Sequence, residues 1–217
     1  MTAKAPLLLA IDTTAAACAA ALLCDQTCLR AQSEPMTRGH AERLLPLVGE
    51  MMAAAGRSHE DLDAIAVAVG PGNFTGIRIG VSAARGLAMS LGIPAIGVST
   101  LEALTHGASG PVLALADARG GQLYSQMFVD GQAQAAPQMS DAGRIVVPAG
   151  TRIAGFDAAE VAKRLGLAAM DGPERPSAEH IGRVALSRDW RGADRPAPLY
   201  IRAPDATPPA ALMAQKN

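Results

Sequence analysis

The chain opens on apolar runs too short to be helices. Leu7 to Ile11 is continuous and stops at Asp12-Thr13-Thr14. Ala16 to Leu23 and Thr27 to Gln32 follow, with Asp25-Gln26 between them, and this order predicts three short strands joined as hairpins. Beyond the polar stretch 33–38, apolar Ala41, Leu44, Leu45, Val48, Met51, Met52 and Ala55 recur at helical spacing and Gly56 closes the run, predicting a helix over about 39–55. Leu47 and Ala54 fall outside that stripe, so two buried faces are expected, and Pro46 removes one internal hydrogen bond.

Asp63 to Val69 reads as a buried strand that runs into Gly70-Pro71-Gly72, where the chain must turn sharply. A helix follows, with Thr75 as its expected cap. Ala95 to Val98 is a further strand, after which Ser99 or Thr100 can cap a short helix toward His106. Gly107 to Pro111 is small and flexible and marks the expected boundary between two lobes. The opening grammar then partly repeats: strand Val112 to Ala116 ends in Asp117-Ala118-Arg119, and Gln122 to Val129 alternates up to the Asp130-Gly131 turn. Beyond Pro137 a strand near Arg152 to Gly155 and helices near Ala158 to Leu165 and Ser177 to Leu186 are expected. The predicted division is a first lobe over 1–106, a smaller second lobe over 107–202 and a tail over 203–217 that contains Pro204, Pro208 and Pro209.

The helix after the glycine turn carries an unusual side. Gly76, Gly80, Ala84 and Ala88 recur every fourth residue, and a glycine inside a helix costs roughly 1 kcal/mol relative to alanine. Such a bared strip lets a neighbour approach to van der Waals contact, either a helix of another protein or the chain's own sheet. The turn itself could offer free amides to an anion, yet its spacing is neither GxxxxGK[ST] nor a faithful GxGxxG. A plain structural turn explains it as well.

Of the 217 residues 49% are hydrophobic, ample for a core, and 19 Lys plus Arg against 20 Asp plus Glu give no overall field toward nucleic acid or membrane. Acidic residues outnumber basic ones up to residue 143, and the reverse holds over 144–202. Cys18, Cys24 and Cys28 form neither an even framework nor a CxxC pair, which fits a reducing compartment and a cytoplasmic address. The apolar stretch Ala15 to Cys24 falls far short of the roughly 20 residues a bilayer span needs. No two of His40, His59, His106 and His180 are four apart, and no GxSxG occurs, so hydrolase and helical metal-pair chemistry lack their signatures. Tyr124, Trp190 and Tyr200 are few for a base-stacking surface.

His40-Ala41-Glu42-Arg43-Leu44-Leu45-Pro46, Gly70-Pro71-Gly72-Asn73-Phe74-Thr75-Gly76-Ile77-Arg78-Ile79-Gly80, Asp117-Ala118-Arg119 with Tyr124, and Tyr200-Ile201-Arg202-Ala203-Pro204-Asp205-Ala206 together resemble the TsaB (YeaZ) family. Ala41 and Asn73 stand where that family usually has Ser. The resemblance implies an α/β protein with a two-lobed actin-like (ASKHA, ribonuclease H-like) fold, its mixed sheets flanked by helices. It also implies a scaffold without its own active site, which binds the catalytic paralogue TsaD and works with the ATPase TsaE. That assembly transfers a threonylcarbamoyl group to the adenosine beside the anticodon, so tRNA is met through the complex, and no membrane is involved.

Without TsaD the family forms homodimers. The association surface implied is the two long helices, with His40, Arg43, Leu44, Leu47, Met51, Phe74, Gly76, Arg78, Gly80, Ala83 and Ala84 as its residues. The resemblance implies that the chain itself requires no cofactor and that ATP is possible only at a shared interface. Actin-like ATPases hold phosphate at turns matching Asp12-Thr13-Thr14 and Asp117-Ala118-Arg119, so Asp12, Thr13 and Asp117 are candidates for a degenerate nucleotide site. Neither turn has the glycine that lets amides wrap a phosphate, and the alternative role for Asp12 and Asp117 is to satisfy turn amides.

Overall fold

A computed structural model of the protein describes residues 5–25, 27–190, 192 and 194–201. The expected tail over 203–217 and the motif residues Arg202 to Ala206 lie outside them.

The three opening strands form as the sequence reads: β1 (Leu7–Asp12), β2 (Ala17–Cys24) and β3 (Thr27–Pro35). Helix α1 (His40–Ala54), strand β4 (Ala64–Gly70), helix α2 (Phe74–Leu91) and strand β5 (Ala95–Ser99) complete a five-stranded sheet in the order β3-β2-β1-β4-β5. β1 runs antiparallel to β2 and parallel to β4, so it sits at the centre with both faces covered. That is why its residues are apolar without alternation. Leu7, Leu9 and Ile11 pack with Ile65 and Val67 beneath α1 and α2. Leu8 and Ala10 turn to the opposite face. Each fully buried leucine there contributes about 1.5–3 kcal/mol relative to exposure.

The opposite face is covered by helix α5 (Ala178–Leu186), through Ala178, Ile181, Val184 and Ala185. The expected division at residue 107 is therefore corrected: the chain leaves the first lobe there but comes back to it. The many alanines of β2 and β4 on this face have a steric reason. At Gly182 of α5 a Cβ would fall 2.5 Å from Leu23 Cδ1 and 3.2 Å from Ala10 Cβ, so helix and sheet approach too closely for larger residues.

Helix α3 (Thr100–Ala103), capped by the Ser99 side chain, is the wedge between lobes. Ala103 belongs to the first core, whereas Leu101 packs with Ala114 and Phe128 of the second. The second lobe contains β6 (Pro111–Asp117), β7 (Gln122–Val129), β8 (Gln132–Ala133), β9 (Gln138–Asp141), β10 (Arg152–Gly155) and β11 (Ala168–Ala169). Its sheet runs β11-β10-β6-β7-β8, with β9 also on β7, and helix α4 (Ala158–Leu165) covers one face. The architecture is thus two mixed sheets flanked by helices, as the fold class required.

Candidate association surface and interlobe cleft

Asp12 ends the central strand in a buried position, and its Oδ1 accepts the Thr14 N–H at 2.7 Å. Burial pushes the Asp12 carboxyl above its ordinary range, outweighing the Thr14 hydrogen bonds and the more distant charge of Arg175. Next to it the Thr13 hydroxyl donates to the Gly76 carbonyl at 2.6 Å, and the Asn73 N–H donates to the Thr14 carbonyl at 2.7 Å. The first turn of α2 is therefore pinned onto the β1–β2 turn. Asn73, not the expected Thr75, caps this helix, its side-chain oxygen accepting the Gly76 N–H at 2.9 Å.

This docking explains the bared strip. A Cβ at Gly72 would lie 2.5 Å from the Thr14 carbonyl oxygen, at Gly76 only 1.9 Å from that of Thr13, and at Gly80 2.6 Å from Thr13 Oγ1. The neighbour that excludes side chains is the chain's own β1–β2 turn, which corrects the expectation that Gly76, Gly80 and Ala84 meet another protein. Leu44, Leu47 and Met51 of α1 are likewise at most 1% exposed, and all six residues belong to the fold itself. Thr13 is corrected too. Its hydroxyl is committed to α2, and the two carbonyl oxygens that face α2 are acceptors, unsuited to an anion.

Between the lobes lies a cleft of about 840 Å³. Asp12, His40 and the first turn of α2 line it on one side, Asp117, Arg119 and Tyr124 on the other, and Arg175 on the crossing segment. Asp117 Oδ1 accepts the Arg119 N–H at 2.7 Å, an arrangement matching that of Asp12 with Thr14. Arg119 takes a left-handed φ of 64°, a conformation that favours glycine. Both aspartates thus serve turn amides. His40 Nε2 is buried with no partner among the described residues. Among those residues, no group of three His, Cys, Asp or Glu side chains is placed to hold a metal, and no helix is long and apolar enough to cross a membrane.

The outer faces of α1 and α2 present a different set of residues. Of the expected association residues, Phe74 and Arg78 are exposed, while His40, Arg43 and Ala83 are partly covered. Arg43 is already engaged within the chain. Its guanidinium forks between Glu34 of β3 and Glu50 of α1 at 2.6–2.7 Å, which holds both carboxyls below their ordinary range. On these helices and beside Phe74, sequence reasoning missed three exposed apolar residues, Leu45 at 53%, Met89 at 80% and Tyr200 at 46%; Leu29, Met139 and Val146 are exposed elsewhere. The sequence pattern places Leu45 on the apolar stripe of α1 and Leu47 outside it; the structure corrects this, turning Leu45 to the outer side and burying Leu47. Phe74 stacks on Tyr200 with ring centroids 5.1 Å apart, and the Arg78 guanidinium lies 5.3 Å from the Phe74 centroid.

A family model described as TsaD, tRNA N6-adenosine threonylcarbamoyltransferase, matches residues 33–188. An uncharacterized protein of Mycobacterium tuberculosis is 38% identical over 205 residues, covering 92% of this chain and 93% of its own length. The tRNA threonylcarbamoyladenosine biosynthesis protein TsaB of Escherichia coli is 44% identical over 122 residues, 54% of this chain and 52% of that protein. Among solved structures, YeaZ from Pseudomonas aeruginosa superimposes with a TM-score of 0.71 at 28% identity, covering 90% of this chain and 99% of that one. The (R)-2-hydroxyglutaryl-CoA dehydratase component A of Acidaminococcus fermentans, at 10% identity and a TM-score of 0.53, shares the fold alone.

Proposed function

The chain belongs to the TsaB (YeaZ) family, kin to the TsaD transferases whose family model it matches, and from that premise we propose that it serves tRNA threonylcarbamoyladenosine biosynthesis as a non-catalytic subunit. It binds a TsaD-type transferase through the outer faces of α1 and α2 and, with TsaE, supports threonylcarbamoyl transfer to the adenosine beside the anticodon. Without that partner the same faces pair two copies of the chain. The observation that carries this reading is the exposed apolar set Leu45, Phe74 and Met89 on helices whose inner faces are already fully occupied. Large apolar side chains left exposed on two neighbouring helices are the kind of surface a protein partner covers. The local bonding supports a scaffold over a phosphotransferase, because the Thr13 hydroxyl and the Thr14 N–H, donors that a phosphate would use, are already committed within the chain.

Mixing the purified chain with a TsaD-type transferase and TsaE, followed by size exclusion, tests the reading. A heterodimer is expected, and Leu45→Asp should abolish it while leaving the melting temperature near that of the parent. The isolated chain should not transfer threonylcarbamoyl. Absence of any complex, or turnover by this chain alone, overturns the proposal. The competing reading is an actin-like ATP-dependent phosphotransferase or ATPase resting on Asp12 and Asp117; calorimetry with MgATP on the same preparation tests it, since it requires tight binding that Asp12→Ala removes.

A further inference from the structure

Tyr200 is delivered to α2 by a return segment that is itself fastened to the first lobe. The Leu199 N–H donates to the Val69 carbonyl at 2.8 Å, and Pro196 lies so close to β5 that a Cβ at Gly97 would come within 3.2 Å of Pro196 Cβ. The ring is therefore held in place, yet 46% of Tyr200 and 44% of Phe74 remain in water. A fixed pair of half-exposed aromatic rings with a guanidinium over one of them gains less from burial than a core pair would. Covering it would take an outside partner.

The charge pattern says what that partner carries. Helix α2 has Arg78 and Arg85 but no acidic residue anywhere in its 18 positions, although acidic residues predominate in the rest of the first lobe. Arg78 and Arg85 are two helical turns apart on one side, both exposed, and neither pairs with a carboxylate among the described residues. A guanidinium over an aromatic ring that has no carboxylate partner still has N–H groups to offer a bidentate carboxylate contact. Arg and Tyr are also the residue types that dominate binding energy at protein interfaces. Single-stranded RNA fits less well. Phe74 is covered by Tyr200 and approached by Arg78, so the stack cannot offer the succession of open ring faces that consecutive bases use.

We propose that the Arg78, Phe74 and Tyr200 stack, together with Arg85, receives a carboxylate-bearing segment of the TsaD-type partner, extending the association face around the N-terminus of α2. This rests on the functional reading above. One guanidinium edge takes the carboxylate while the aromatic pair shields that contact from water, which lowers the local dielectric and strengthens it.

Binding to the TsaD-type partner by calorimetry, with melting curves on every variant, tests the inference. Tyr200→Ala and Arg78→Glu should each weaken the complex by about tenfold or more, and Tyr200→Phe should bind within about twofold because the ring is kept. Arg85→Glu should weaken it less, and raising the salt should diminish the difference between Arg78→Glu and the parent. Should Tyr200→Ala lower the melting temperature, Arg78→Glu and Tyr200→Phe still report on the stack. If both Arg78→Glu and Tyr200→Ala bind like the parent while Leu45→Asp does not, the stack has no part in the interface, and the functional reading stands. If the parent itself forms no complex, both fall. Loss of binding to tRNA alone in Arg78→Glu, with the protein complex unchanged, would reassign the stack to nucleic acid and overturn the inference.

Discussion

Replacing Gly76 by alanine makes a sharp test, because helix propensity and packing predict opposite signs. In an exposed helix the change stabilises by roughly 1 kcal/mol, since alanine loses less backbone entropy. At Gly76 the new Cβ would sit 1.9 Å from the Thr13 carbonyl oxygen and 3.0 Å from its carbon. Relief requires α2 to move outward by roughly 1 Å or more, given an ordinary contact distance of about 3.4 Å. That shift would break the Thr13 hydroxyl bond to the Gly76 carbonyl, worth about 1 kcal/mol. It would also loosen the layer of Ile77, Val81 and Ala84, and overpacking of this kind costs about 1–3 kcal/mol. The net expectation is a loss of about 2 kcal/mol or more, since the propensity gain offsets only part of these costs.

Gly86 lies on the same helix with nothing within 4 Å of its would-be Cβ, so Gly86→Ala isolates the propensity effect and should stabilise by about 0.5–1 kcal/mol. Urea unfolding followed by far-ultraviolet circular dichroism measures both, with the midpoint moving in opposite directions. If Gly76→Ala is as stable as the parent, the claim that the strip exists for the chain's own turn is wrong. A loss in Gly86→Ala would instead discredit the assignment of its exposed position.

Three further outcomes follow from the same geometry. The Asp12 carboxyl is held above its ordinary value of 3.8 chiefly by burial, so its ionisation destabilises the folded state as pH rises past that value. Asp12→Asn, which can still accept the Thr14 N–H, should be the more stable protein at neutral pH. Its advantage should shrink as pH falls toward 3.8, and an advantage that grows on acidification would refute this. Gly182→Ala should lower the melting temperature, with Leu23→Ala at least partly rescuing it, because the added methyl meets Leu23 Cδ1 at 2.5 Å. Arg43→Ala should lower stability only slightly and mainly at low salt, since the Arg43, Glu34 and Glu50 side chains are solvent-accessible; a large loss that persists in high salt would show that Arg43 acts through packing.

Periodicity located most of the elements, because the central strands are covered on both faces and the helices carry regular apolar stripes. The small strands β8, β9 and β11 escaped, since two to four residues carry no detectable period and form only once β7 and β10 supply their ladders. The return of α5 to the first sheet was equally invisible. Its apolar stripe shows that it is covered but not by which sheet. The strip of small residues was read correctly as a place of close approach, and its occupant was not readable, because Thr13 lies sixty-three residues away in sequence. Tyr200 stood out only as part of a motif. Its stacking on Phe74 depends on a path from residue 194 to 201 that no local pattern encodes.

Because α5 and the Leu199 segment finish the first lobe, the second is nested within it, entered after α3 and left before α5. Cutting the chain between the lobes would therefore not yield two self-sufficient halves. The amino-terminal fragment would lack the helix that roofs Leu8 and Ala10, and would expose a sheet face rich in apolar residues. On a ribosome, the first lobe can reach its native state only after the second has been made, so the nested lobe has the earlier opportunity to fold.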